Sequence, residues 1–270
     1  MVDTGVWSLK ITLTGKTAIV TASTQGIGLA TARGLSAAGA DVVINSRNQA
    51  GADAVAAAIT KETGVAVRGV AADMGTAEGC AALMAAVPSA DIVICNQMFV
   101  GWGDFFAAGD EVWREAWETN VVCGARLARH YLPDMKQRGW GRFVFVSSES
   151  ARNIQPELIP YGASKLALHA LSRGIAKLAA GSGVTSNVVM PGPTLSDGVK
   201  GMLAPAVKQG VSLEEAATGF VLANRSSSVL KRMATVDEVA AMIIYACSPQ
   251  ASATSGSVLR VDGGVVEDVS

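Results

Sequence analysis

The sequence predicts an α/β fold in which a doubly wound parallel sheet forms one domain. Short apolar, β-branched runs alternate with Ala-rich stretches long enough to serve as crossover helices. With 270 residues, half of them hydrophobic, the chain can bury one large core. No internal repeat, low-complexity linker or break in composition divides it.

The elements follow in order. "TAIVTAS" (17–23) reads as a first strand, and residues 27–38 as a helix ended by Gly39. "DVVINSR" (41–47) is a second strand, followed by an Ala-rich helix near 49–62, a third strand at 65–71, a helix at 76–86 and a fourth strand, "DIVICN", at 91–96. Two long helical patterns fall near 110–138, ahead of a fifth strand, "GRFVFVSS", at 141–148. Then come a helix at 162–180, a strand "TSNVVMP" at 185–191, an irregular segment at 194–232, a helix at 235–247 and a last strand, "GSVLRVDGG", at 256–264. Ligands of such sheets gather at the carboxyl ends of the strands. The segment 194–232 is longer than ordinary connections. Its apolar residues Val199, Met202, Leu203, Val207, Phe220, Val221 and Leu222 are interleaved with Gly198, Gly201, Gly210 and Gly219, so it is expected to be a helical substrate lid moving on glycine hinges.

Charge narrows the partners. With 22 Lys and Arg against 23 Asp and Glu, net charge −1, there is no long-range field for nucleic acid or an anionic membrane, and a small molecule is the expected partner. Cys80, Cys95, Cys123 and Cys247 show neither CxxC spacing nor a histidine cluster, so no metal centre or disulfide framework is expected. Reduced thiols fit the cytoplasm. No apolar run reaches the roughly 18 residues of a membrane span. "MVDTGVWSLKITLTGK" lacks a basic region followed by an apolar core, so a soluble, unprocessed chain is expected.

The stretch "VTASTQGIGLA" (20–30) joins the first strand to the first helix. Backbone N–H groups of such a turn and of the helix start face outward, where the helix dipole favours an anionic group. Ala22, Ser23, Thr24, Gln25, Gly26, Ile27 and Gly28 are therefore candidates for cradling a dinucleotide pyrophosphate. Ala22 stands where such turns usually carry a first glycine, a change that is tolerable unless φ must be positive. An NAD site places a carboxylate about 20 residues further on to accept from the ribose 2′-hydroxyl. Here the second strand ends in Asn45-Ser46-Arg47. Arg47 can pair with a 2′-phosphate and Ser46 can donate to it, so NADPH is favoured over NADH.

A second cluster bears the chemistry. Tyr161 and Lys165 lie four positions apart in "YGASK", which puts them on one face at a helix start. A neighbouring ammonium favours a phenolate, so Lys165 is expected to lower the Tyr161 pKa toward acid/base work. Ser148 ends a buried strand, where its hydroxyl can reach the crevice and hydrogen-bond a substrate oxygen.

With Ser148 thirteen positions before Tyr161, the chain resembles the classical short-chain dehydrogenase/reductase family over nearly its whole length. The resemblance implies a Rossmann-type fold and a nicotinamide cofactor. It matches Asn120 in "WETNVVCG" to the active-site asparagine, holding a proton-relaying water, and Asp73 in "AADM", beside Met74, to the adenine-side aspartate. It matches Pro191-Gly192 and Thr194 in "MPGPTLSDG" to the turn at the nicotinamide end, where Thr194 or Ser196 offers a hydroxyl, and it gives Lys165 the nicotinamide ribose. Asn96 keeps the polar anchor of the family's fourth-strand motif, but Gln97 and Met98 put bulk where small residues normally lie against the cofactor ribose. The implied activity is NADPH-dependent reduction of a ketone or aldehyde, reversible as alcohol oxidation, on an apolar substrate and in a homotetramer. Reduction of 3-oxoacyl groups on acyl-carrier protein is an alternative; that acidic partner needs a basic patch, for which Arg138 and Arg142 are the candidates. An NADP-binding sensor without turnover is the alternative of another class.

Overall fold

A computed structural model of the chain describes residues 10–269; residues 1–9, which include most of the N-terminal stretch read for a leader, lie outside the described residues. Seven strands, β1 (Thr17–Val20), β2 (Asp41–Ser46), β3 (Val67–Ala71), β4 (Ile92–Cys95), β5 (Gly141–Val146), β6 (Val184–Pro191) and β7 (Val258–Val261), form one parallel sheet in the order β3-β2-β1-β4-β5-β6-β7. The order reverses between β1 and β4, which opens a crevice at their carboxyl ends.

Both faces of the sheet are covered, which is why its strands read as unbroken apolar runs. Alternation along each strand divides the side chains between the two layers. In β4, Ile92 and Ile94 join Leu35 of α1 (Gly26–Ala37), Ile59 of α2 (Gln49–Thr63) and Ile243 of α9 (Val236–Cys247). Val93 and Cys95 join Leu83 of α3 (Ala77–Ala86), Leu127 of α5 (Cys123–Arg138) and Leu168 of α6 (Ile159–Leu178). The expected doubly wound α/β sheet in a single domain is what the chain forms.

Three of the expected elements gain local detail. The two helical patterns at 110–138 are α4 (Asp110–Trp117) and α5, joined by a π-helical turn at Glu118–Val122, which carries Asn120. Helix α6 begins at Ile159, ahead of the predicted 162, because Pro160 in the first turn has no intrahelical N–H to lose. The segment 194–232, irregular in its residue pattern, holds the helices expected of it, α7 (Asp197–Lys208) and α8 (Leu213–Asn224). Ser196 caps α7, and Ser212 with Glu215 forms a capping box on α8. Gly198, Gly201 and Gly219 lie inside these helices, so the hinge role expected of them is absent, while Gly210 takes a left-handed φ of +94° between the two helices. Leu203 and Val221 bury against Ala217 and Met233 in a small core of the segment's own, with Val199 and Phe220 packed on it. Only Met202, Val207 and Leu222 of the apolar set are exposed.

The supposed basic patch also dissolves. Arg142 is wholly buried, donating to the carbonyls of Gly141 (2.8 Å) and Gly183 (3.1 Å) and to Ser252 Oγ (2.9 Å), with its guanidinium 4.4 Å over the Trp140 ring. Arg138 is spent on Asp91 and Asp134. Among the described residues, no helix is long and apolar enough to cross a membrane.

Candidate active site

The crevice is built first by the turn after β1. Ser23 Oγ donates to Val20 O (2.6 Å) and accepts from Asn45 N (3.0 Å). The buried Asn45 accepts from Ala22 N (3.2 Å) and donates to the carbonyls of Val70 (3.3 Å) and Ala72 (3.1 Å), tying the turn to the ends of β2 and β3. From the other side Asn96 donates to Thr21 O (3.2 Å) and Ala22 O (3.0 Å). A Cβ on Gly28 would lie 2.5 Å from Ala22 O and 2.6 Å from Asn96 Nδ2, so only glycine lets the turn close here. Gln25, the N-cap of α1, makes no side-chain capping bond; the first amide of the helix, Gly26 N, donates to Asp197 Oδ2 (3.0 Å), and the amides that follow face the crevice, where an anion is favoured.

Ala22 has φ of +48°, the one condition under which an alanine in this turn is strained. Ala22→Gly is therefore expected to stabilise the fold by about 0.5–1 kcal/mol, since relief of about 1–2 kcal/mol of left-handed strain exceeds glycine's extra entropy loss of roughly 0.5–1 kcal/mol. A melting temperature below wild type would show that the alanine is not strained.

The cofactor candidates are distributed along this rim. Arg47 is exposed and makes no hydrogen bond or ion pair among the described residues, and no carboxylate replaces it at the end of β2. Ser46 Oγ instead donates to Asn48 O (2.7 Å), so its expected donation to a 2′-phosphate competes with a bond already made. Asp73 is exposed and accepts from Gly75 N (2.9 Å), whereas the Met74 side chain is buried in the core. Gln97 turns inward, accepting from Thr21 Oγ1 (2.6 Å), so its bulk is removed from the crevice; Met98 remains exposed. At Gly192 a Cβ would sit 2.6 Å from Asp262 O, which explains the glycine after Pro191. Thr194 Oγ1 donates to Gly192 O (2.9 Å) and bridges to Ala234, and the hydroxyl of Ser196 caps α7. Both hydroxyls expected at the nicotinamide end are thus engaged within the protein.

Just past β5, Ser148 Oγ accepts from Ser150 N (3.1 Å), and its side chain lies near enough to Tyr161, in the first turn of α6, to draw that phenol's pKa down. Lys165 stands one turn on, its Nζ 5.6 Å from the Tyr161 ring centroid and donating to Val146 O (2.9 Å). Burial is the dominant influence on both. It pushes Tyr161 up to about 12, against the lowering hydrogen bond of Ser148 and with a further upward push from Glu149. It brings Lys165 down to about 8. The downward tuning of Tyr161 expected from the Lys165 spacing is thus reversed in the free protein, because loss of water outweighs a neighbour that itself charges reluctantly. Asn120 is buried; it accepts from Phe99 N (2.8 Å) and donates to Phe99 O (2.9 Å) and Ser164 Oγ (2.9 Å). Both side-chain donors being used, Asn120 braces the 97–99 loop against α6.

Sequence reasoning missed a buried ion pair beside the serine. Arg225, just past α8, donates from Nε to Glu149 Oε1 (2.7 Å), with the two side chains 10% and 5% exposed. A carboxylate directly after Ser148 was the available signal. Its partner lies 76 residues away and was not legible.

A glycine-bearing turn at the switch point of a doubly wound sheet, beside a serine, tyrosine and lysine at the ends of β5 and α6, defines a dinucleotide-dependent oxidoreductase. Residues 21–266 match the profile of the Enoyl-(Acyl carrier protein) reductase family. The chain is 38% identical over 263 residues to "Uncharacterized oxidoreductase YvaG" of Bacillus subtilis, covering 97% of this chain and 100% of that one. It is 32% identical over 269 residues to "Dehydrogenase/reductase SDR family member 4" of Sus scrofa, covering 98% and 91%. The crystal structure of L-sorbose reductase from Gluconobacter frateurii, complexed with NADPH and L-sorbose, superposes with a TM-score of 0.88 at 28% identity, covering 97% and 100%. The chain belongs to the classical short-chain dehydrogenase/reductase family, oxidoreductases that act on CH–OH groups with a nicotinamide cofactor.

Proposed function

We propose that the chain is a carbonyl reductase that uses NADPH to reduce a small, apolar ketone or aldehyde, reversibly. The observation that carries this reading is the meeting of Ser148, Tyr161 and Lys165 beside a crevice whose 2′-phosphate position holds the unpaired Arg47 and no carboxylate. The residues suit the dinucleotide: the first amides of α1 for its phosphates, Arg47 for the 2′-phosphate, Asp73 for the adenine side, and Lys165 for the nicotinamide ribose. Bound, it supplies the hydride that passes to the carbonyl carbon. Tyr161, protonated at neutral pH, gives its proton to the carbonyl oxygen, and Ser148 orients and polarises that oxygen. The NADPH held by the similar L-sorbose reductase supports the same choice of cofactor.

Apolarity of the substrate is supported by Trp102 and Phe106, 69% and 92% exposed on the loop between β4 and α4. Gly103 N donates to Glu157 O (3.2 Å), which ties this loop to the turn before α6. Reduction of acyl-carrier-bound substrates loses support with the burial of Arg142 and the pairing of Arg138. A sensor without turnover has no use for the catalytic trio. The helices of 194–232 serve as the substrate lid, and the cytoplasm is the proposed location. Following NADPH and NADH absorbance over a panel of ketones tests the reading; no turnover with any carbonyl would overturn it.

We further propose a homotetramer. Trp117 of α4 and Leu166 and Leu178 of α6 are exposed apolar residues, and edge strand β7 is only half-buried. Light scattering at micromolar concentration is expected to give the mass of four chains, and a monomer would reject it.

A further inference from the structure

Two helix N-termini converge on one carboxylate at the rim of the crevice. Asp197 opens α7, behind the N-cap Ser196, and its Oδ2 accepts from the backbone N–H of Gly26, the first residue of α1, at 3.0 Å. The approach is close, for a Cβ built on Gly26 would stand 3.6 Å from Ser196 Cβ. Gln25 provides no side-chain cap of its own, so the cap of α1 comes from a residue 171 positions away on the lid. Lys200 Nζ stands 3.4 Å from the other oxygen of the same carboxylate. The contact holds the Asp197 carboxyl below its usual range, the Gly26 amide being the largest cause.

We infer that Asp197 occupies the place of a cofactor phosphate, so that dinucleotide binding and release of the first turn of α7 are one coupled event. This rests on the cofactor reading above. A phosphate oxygen and a carboxylate oxygen accept the same N–H at the same helix end, and two anions do not share it. The dinucleotide must therefore displace Asp197. The other end of the lid does not let go, because Arg225 and Glu149 form a buried pair next to Ser148, which is costlier to break than a half-exposed carboxylate on an amide. Release at Asp197 with retention at Arg225 frees the first turn of α7 while the lid keeps its tie to Glu149, the neighbour of Ser148.

The test uses the full chain and two readouts, the NADP+ dissociation constant and amide hydrogen exchange at the start of α7. Asp197 is half-exposed, so Asp197→Ala and Asp197→Asn leave the core intact. Removing the competitor is expected to tighten NADP+ binding by about tenfold in Asp197→Ala, the scale of one charge-assisted hydrogen bond. In the wild type without cofactor, residues 197–200 exchange slowly and NADP+ speeds them; in Asp197→Ala they exchange fast from the start and NADP+ adds no further acceleration. Equal or weaker NADP+ binding by both variants, or wild-type exchange at 197–200 that NADP+ leaves unchanged or slows, overturns the latch. Failure of the wild type to bind either dinucleotide overturns the cofactor reading itself, and the latch with it.

Discussion

Tyr161→Phe is expected to lower kcat by about 10²–10⁴-fold while leaving NADPH binding close to wild type, because a positioned general acid contributes on that scale. Phenylalanine keeps the buried ring and with it the packing at the start of α6; only the O–H that meets Ser148 is removed. The pKa of about 12 fixes the sign of the pH dependence. Below it the phenol holds the proton that reduction needs, so reduction is sustained through neutral pH. Oxidation of the alcohol needs the phenolate, and its rate is expected to climb toward alkaline pH in the wild type and not in the variant. Steady-state rates in both directions across pH check this, and near-normal kcat in Tyr161→Phe would remove the tyrosine from the mechanism.

Arg47→Ala is expected to weaken NADPH by roughly 10- to 150-fold, corresponding to about 1.5–3 kcal/mol for a lost charge-assisted hydrogen bond. Arg47 is exposed and unpaired, so its loss breaks no contact among the described residues, and NADH affinity is expected to stay nearly unchanged. Fluorescence titration of both cofactors against both proteins measures the ratio. A wild type that already prefers NADH would reverse the assignment of this rim.

The parts of this molecule legible in the sequence are those whose cause lies within a few residues. Strand alternation sends Ile92 and Val93 to opposite layers, and four-residue spacing puts Tyr161 and Lys165 on one helical face whatever the rest of the chain does. The α/β rhythm and the catalytic trio follow from such local rules. The bounds of α7 and α8 were not legible because their glycines read as breaks, although the Ser212 and Glu215 caps were there to be read. Burial and long-range pairing obey no local rule. The sequence could not show that Arg142, an apparent surface cation, would be enclosed by carbonyls from distant turns, or that desolvation at the root of the crevice would raise Tyr161 against the pull of Ser148. Nor could it show that Ala22 would take a positive φ, which the bonds from Asn45 and Asn96 impose together. Local periodicity determined which residues are proposed to carry the chemistry. The folded chain alone decided their protonation, the engaged hydroxyls at Ser46 and Thr194, and the meeting of Gly26 with Asp197, because these depend on which distant atoms exclude water and supply the partners.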